Sequence, residues 1–267
     1  MYRSLMPSLV TPAVLVAALV AALSAVLVSP AAAQEPAAGA IDKGWVDVTF
    51  GTATAAEDAY TSTAIRIIDQ EAGGGSVAYG LPRGASFDVG GGYMFSRRVG
   101  VGISLAGTAH EDTAGLAVSV PHPLYFDASA MDAGVTDGTL TRAEGAWHLH
   151  AMLVAAETRR IRVRVFGGPS YFLARQDVVT AITYDQRYQV FGRGNQVDIN
   201  GVRTAEREGT GWGWHAGGDV SWFFSRVAGI GALVRVSGGS VAIDDYGGRA
   251  DRKVGGVQMG GGLRLRF

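Results

Sequence analysis

The chain has 267 residues, a formal net charge of -1, 39 glycines, 8 prolines and no cysteine. Near-neutral charge removes the electrostatic case for nucleic-acid binding, and the lack of cysteine excludes a disulfide framework, thiolate metal sites and a lipid anchor on Cys. So much glycine, without a G-X-Y period or high proline, fits neither collagen nor simple disorder.

The first element in chain order is a targeting segment. Residues 1–33 carry a basic start at Arg3, an apolar run from Ala13 to Val28 and then SPAAAQ, with Ala31 and Ala33 at the small positions. This is the order of regions in a cleaved secretory signal peptide. The apolar run is about 16 residues, short of the roughly 20 that a spanning helix needs. Cleavage after Ala33 and export are expected.

Eight alternating segments follow: 45–55, 84–95, 98–108, 145–156, 161–174, 212–224, 226–237 and 256–267. Each is long enough to cross a bilayer as a tilted strand, which takes roughly 9–11 residues. The links 96–97, 157–160 and 225 are short, whereas 56–83, 109–144, 175–211 and 238–255 are long. Long and short links alternate strictly, as in an outer-membrane barrel with short periplasmic turns, long outer loops and both termini inside. A soluble sandwich has no reason to sort its loops by length onto opposite ends. The expected fold is therefore all-β: an eight-stranded antiparallel up-and-down transmembrane β-barrel over 45–267, preceded by a short periplasmic linker at 34–44.

The faces agree with this reading. One parity per strand collects Val46, Val48, Phe50, Phe87, Val89, Val99, Val101, Ile103, Leu105, Leu149, Leu153, Ile161, Val163, Val165, Val220, Ile230, Val234 and Val236, with no charge among them. Aromatics mark both ends of that face: Tyr93, Phe95, Trp222 and Phe224 on the turn side, and Trp147, Tyr171, Trp212 and Trp214 on the loop side. These are the two interfacial girdles of a membrane barrel. The opposite parity holds Asp47, Asp88, His148, His150, Arg162, Arg164, His215, Asp219, Arg235, Arg264 and Arg266. A water-soluble barrel would invert the pattern.

The last segment, GGGLRLRF, places Leu263, Leu265 and Phe267 on one side and Arg264 and Arg266 on the other. A terminal aromatic after alternating apolar residues resembles the C-terminal signature of outer-membrane proteins. That resemblance implies recognition by the barrel-assembly machinery through Phe267, Leu265 and Leu263. In strand pattern and loop layout, the region after the signal peptide resembles small eight-stranded barrels of the outer membrane protein A and outer membrane protein W kind. The resemblance implies an outer-membrane location, with lipid and lipopolysaccharide as surroundings. It departs from outer membrane protein A in having no peptidoglycan-binding domain after the barrel, so cell-wall anchoring is not implied.

Such a barrel has room for side chains and little else. Asp47, Asp88, Asp219, Arg162, Arg164, Arg235, Arg264 and Arg266 are therefore expected to meet as an ion-pair network plugging the lumen, because isolated buried charges cost several kcal/mol. The competing reading is a narrow gated pore for small or hydrophobic solutes, as the resemblance to outer membrane protein W-like barrels implies. His148 and His150 share a strand face about 7 Å apart, and His215 could join them as metal ligands. Hydrogen-bonded lumen histidines are the blander expectation, with no metal and no cofactor. A barrel hydrolase acting on lipid A would need Ser, His and acid on the lipid face, but Ser104, Ser221 and Ser237 point inward with the histidines. No enzyme is expected. The long loops are read either as solvated hairpins or as a surface that recognises a partner, whose identity the residues leave open. The loops at 109–144 and 175–211 contain β-like stretches of their own.

Overall fold

The structure, a computed structural model, describes residues 43–57, 59–80 and 83–267. The signal-peptide reading and residues 34–42 of the linker lie outside the described residues. Twelve strands are found among the described residues: β1 (Gly44–Ala53), β2 (Ala59–Ile68), β3 (Glu71–Gly80), β4 (Gly84–Met94), β5 (Val99–Asp112), β6 (Ala114–Val120), β7 (Ala130–Val135), β8 (Leu140–Glu157), β9 (Ile161–Tyr188), β10 (Asn195–Phe223), β11 (Ala228–Asp245) and β12 (Gly248–Arg266). Eight of them close a barrel in the order β1-β12-β11-β10-β9-β8-β5-β4, every neighbour antiparallel, and β4 returns to pair with β1.

The three short turns share one device. Ser96 Oγ accepts from the N–H of Arg98 and Val99 at 3.2 and 3.1 Å. Thr158 Oγ1 accepts from Ile161 N–H at 3.0 Å, and Ser225 Oγ from Val227 and Ala228 at 3.2 and 2.8 Å. A hydroxyl that satisfies backbone donors reverses the chain in a few residues.

The exterior is the apolar one. Phe50, Ile103, Leu149, Trp212 and Ile230 all stand open on the outside, while Asp47, Asp88, Arg164, Asp219 and Arg264 are buried within. The girdle aromatics meet in pairs, with ring centroids 5.8 Å apart for Tyr93–Phe95, 6.2 Å for Trp222–Phe224 and 5.1 Å for Tyr171–Trp212. Leu265 departs from expectation: it is buried rather than open to lipid, while Leu263 is half-buried.

The long links are not loops. The stretch 56–83 contains the β2–β3 hairpin, and 109–144 contains β6 and β7. Strands β9 and β10 stay paired through 175–211, leaving only 189–194 to connect them. Strands β11 and β12 likewise run through 238–255 to a turn at Tyr246–Gly247. The alternating apolar exterior stops where lipid stops, but backbone pairing needs no lipid and continues into water. Strands β2-β3-β6-β7 form a separate four-stranded sheet. Its buried face (Tyr60, Val77, Tyr79, Leu116) packs on Val179 and on half-buried Ile182, Ile199 and Val202 of the extended β9 and β10. The result is a two-layer head above the barrel, of the kind two twisted sheets make when their apolar faces meet.

Candidate functional site in the barrel lumen

At the short-turn mouth Glu157 accepts from Arg162, at 2.7 Å to Nε and 2.5 Å to Nη2, and lies 3.9 Å from Arg266. Both guanidinium groups cover the Phe223 ring, at 5.8 and 4.0 Å from its centroid. Glu157 closes β8 next to the turn, just past the apolar alternation of its strand.

One layer deeper lie two cations and two anions. Asp219 and Arg164 are register partners across β10 and β9, as are Asp47 and Arg264 across β1 and β12. Arg164 Nη2 bridges Asp47 at 2.6 Å and Asp219 at 2.7 Å. Arg264 Nη2 pairs with Asp219 at 2.6 Å, and its Nε lies 3.7 Å from Asp47. Ser221 donates to Asp219 at 2.5 Å, and Arg264 donates to Thr49 Oγ1 at 2.9 Å. In the closed order β9 stands four places from β1. The Arg164–Asp47 bond therefore spans the full width of the barrel.

The next crossing repeats the device. Arg235 on β11 pairs with Asp88 on β4 and donates to Ser104 on β5, the strand opposite, at 3.2 Å. Higher still, Arg142 on β8 pairs with Glu144 at 2.7 Å and donates to the Lys253 carbonyl on β12 at 2.7 Å, again on opposite strands. Glu144 accepts from Gly255 N–H on that same strand at 2.9 Å. Arg142 and Glu144 were missed because the segment was expected to begin at 145; their alternation with Ala146 and His148 on the buried face is the signal that could have found them.

The histidines gather between these crossings. Ring centroids of His148 and His150 lie 4.6 and 5.6 Å from that of His215. Nδ1 of His148 and Nδ1 of His215 both bond the Ser170 hydroxyl, at 2.8 and 3.0 Å. The rings therefore turn onto Ser170 rather than onto a common ligand point, and among the described residues no group of three or more His, Asp and Glu is arranged to hold a metal. His150 instead stacks on Trp45 at 5.9 Å. Gly92 and Gly102 make room for that indole, since a Cβ on either would lie 2.7 or 2.5 Å from Trp45. Ser170, which sequence reading did not single out, is buried in the lumen between imidazoles, away from any lipid-facing substrate. Ser104 and Ser221 are committed to Arg235 and Asp219.

Above the histidines Ala146, Phe172, Ala174, Val178, Val241, Ile243 and Val254 form an apolar cluster. The space left beside His148 and Phe172 is about 30 Å³, and that beside His150 and Arg164 about 20 Å³. Each is only large enough for about one water. In the wall, the β8–β9 ladder passes from His148↔Ser170 to Ala151↔Gly167, skipping Pro169, which has no N–H to give. A Cβ on Gly168 would lie 2.1 Å from the Leu149 carbonyl, so the two strands stay in contact there.

No family model and no curated relative matches the sequence. Among solved structures, the chain is similar to the outer membrane protein OprG from Pseudomonas aeruginosa, with 12% identity, a TM-score of 0.43, and coverage of 85% of this chain and 97% of that one. It is also similar to Ail, the attachment invasion locus protein of Yersinia pestis, in complex with the heparin analogue sucrose octasulfate, with 14% identity, a TM-score of 0.37, and coverage of 84% and 99%. Both are outer-membrane barrels. At these identities the surface and lumen of this chain speak for themselves.

Proposed function

We propose that this protein is an outer-membrane β-barrel of the structural and surface-interaction kind, with a closed lumen and no catalysis. The observation that carries the reading is the set of diameter-spanning contacts, Arg164–Asp47, Arg235–Ser104 and Arg142–Lys253, stacked along one bore. Lipid placement is supported by the uncharged exterior and its two aromatic girdles; the outer leaflet and its lipopolysaccharide would then surround the loop-side girdle. The buried Ser170–histidine group lacks both an exposed face and a bonded carboxylate among the described residues, which supports a packing role for it. A narrow channel for small or hydrophobic solutes is the competing reading.

Single-channel recording in planar bilayers tests the closed lumen. The protein is expected to insert without stable ion-sized steps at neutral pH. Reproducible conductance steps from the folded, heat-modifiable species would overturn the closed reading and establish the channel.

A further inference from the structure

The top of the head carries apolar side chains that nothing in the fold covers. Strand β9 continues for 15 residues beyond Leu173, the last apolar residue on its outer face, to Tyr188. That is about 50 Å of strand along its own axis. At its summit the connection 189–194 meets the β6–β7 connection 121–129. Phe191 is 95% exposed there, Phe126 61%, Leu124 57% and Val190 55%.

These side chains are held out. His122 Nε2 bonds the Gln189 carbonyl at 3.1 Å, and Gly192 N–H donates to the Tyr125 hydroxyl at 3.2 Å. Asn195 Nδ2 donates to the Val120 and Ala128 carbonyls, each at 3.0 Å, and Gln189 N–H closes its own loop onto the Gly194 carbonyl at 2.8 Å. Less exposed than these apolar residues is a group of amphipathic rings, with His122 against Tyr125 at 5.0 Å and against Tyr188 at 5.4 Å. Exposed Arg187 pairs with Asp198 at 3.5 Å, and the exposed Arg193 and Asp127 lie on the two tip connections, Asp127 N–H donating to Glu71 at 2.9 Å. The mixed charge offers a polyanion little purchase.

We propose that this tip docks by insertion into the surface of an apposed lipid bilayer, one other than the membrane the barrel spans. A protein hot spot is a cluster of anchors seated in pockets. Here Phe191, Phe126, Leu124 and Val190 are each more than half exposed, while Tyr188 is 46% exposed and Tyr125 half-buried. That order of exposure, apolar first and amphipathic aromatic second, is the one an interfacial anchor needs. The inference rests on the proposed membrane reading, which makes this tip the part furthest from the barrel's own bilayer.

The test uses the full folded protein in lipid nanodiscs, mixed with vesicles of phosphatidylcholine alone or with a minority of phosphatidylserine. Incorporation into nanodiscs is scored first; failure at that step overturns the membrane reading. Incorporated wild-type protein should bind both vesicle types, with phosphatidylserine adding little. Phe126→Ser combined with Phe191→Ser should weaken binding about tenfold or more while the barrel keeps its heat-modifiable migration. Phe191→Trp should retain binding and show a blue-shifted emission on adding vesicles. No binding by incorporated protein, undiminished binding by the double variant, or no blue shift would overturn the proposal. Binding only to vesicles that carry membrane proteins would assign the tip to a protein partner and overturn it equally.

Discussion

Asp219 accepts from Arg164, Arg264 and Ser221 at once, and no other carboxylate in the lumen serves as many donors among the bonds described. Asp219→Ala leaves two buried guanidiniums sharing Asp47, and removing one partner of a buried pair costs about 3–5 kcal/mol. The urea midpoint of the micelle-bound protein should fall accordingly, and Asp219→Ala combined with Arg264→Met should recover part of the loss by restoring charge balance. In the head, Gln176 donates to the Tyr60 hydroxyl at 2.5 Å and Arg252 sits 3.9 Å over its ring. Burial is the main cause that pushes the Tyr60 phenol from 10.0 up to about 12, and burial raises Tyr79 as well. A raised acid is one whose neutral form the fold favours. Its stabilisation is whole below pH 10 and is lost as pH climbs from 10 toward about 12. Titration by phenolate absorbance should therefore show late-titrating tyrosines, and Tyr60→Phe should remove one of them.

The head hairpin is separable from the barrel at the level of elements. Ala53 and Gly84 are register partners where β1 and β4 leave the barrel, so a short turn can join them directly. Replacing 57–82 with a brief Gly/Ser turn should leave a closed, heat-modifiable barrel. The same deletion strips Tyr60, Val77 and Tyr79 from the head core, each worth roughly 1.5–3 kcal/mol when fully buried. Limited proteolysis should then cut within 114–135 or the upper β9–β10 hairpin faster than in the intact protein. Barrel unfolding on replacement would show that the head is needed for closure. Glycine has a specific task nearby: where β12 parts from β1, Gly256 holds φ +127, and a Cβ there would lie 2.0 Å from the Thr54 carbonyl. Only a residue without a side chain lets the strand turn from barrel to head at that spacing.

The whole molecule is closed at the β1–β12 seam. Gly44 N–H donates to the Phe267 carbonyl at 2.7 Å, Phe267 N–H donates back at 3.0 Å, and the Phe267 ring occupies the space a Gly44 Cβ would need. The ring remains 61% exposed on the turn side. We propose that Phe267, with Leu263 and Leu265, serves recognition by the assembly machinery more than packing. Phe267→Ala should lower the amount reaching the outer membrane in cells and leave periplasmic, protease-sensitive chain. Refolding in detergent should be only mildly impaired, and Phe267→Tyr should be tolerated. Normal assembly of Phe267→Ala would make the aromatic incidental.

Sequence by itself determined the eight barrel strands, their up-and-down order and which side of each meets lipid. All three follow from local facts: a side-chain period of two, and turns short enough to admit one arrangement. It also placed Asp47, Asp88, Arg164, Arg235 and Arg264 inside. What it did not determine is who meets whom. The bonds of Arg164 to Asp47, Arg235 to Ser104 and Arg142 to Lys253 join residues more than a hundred positions apart, and they exist because closing eight strands brings the first opposite the fifth in the ring. The β-like stretches in 109–144 and 175–211 were legible, but not how they pair into a head, for a related reason. Apolar alternation marks only the lipid-covered length of a strand, while the ladder above it, and the sheet packed on that ladder, are decided by tertiary pairing in water.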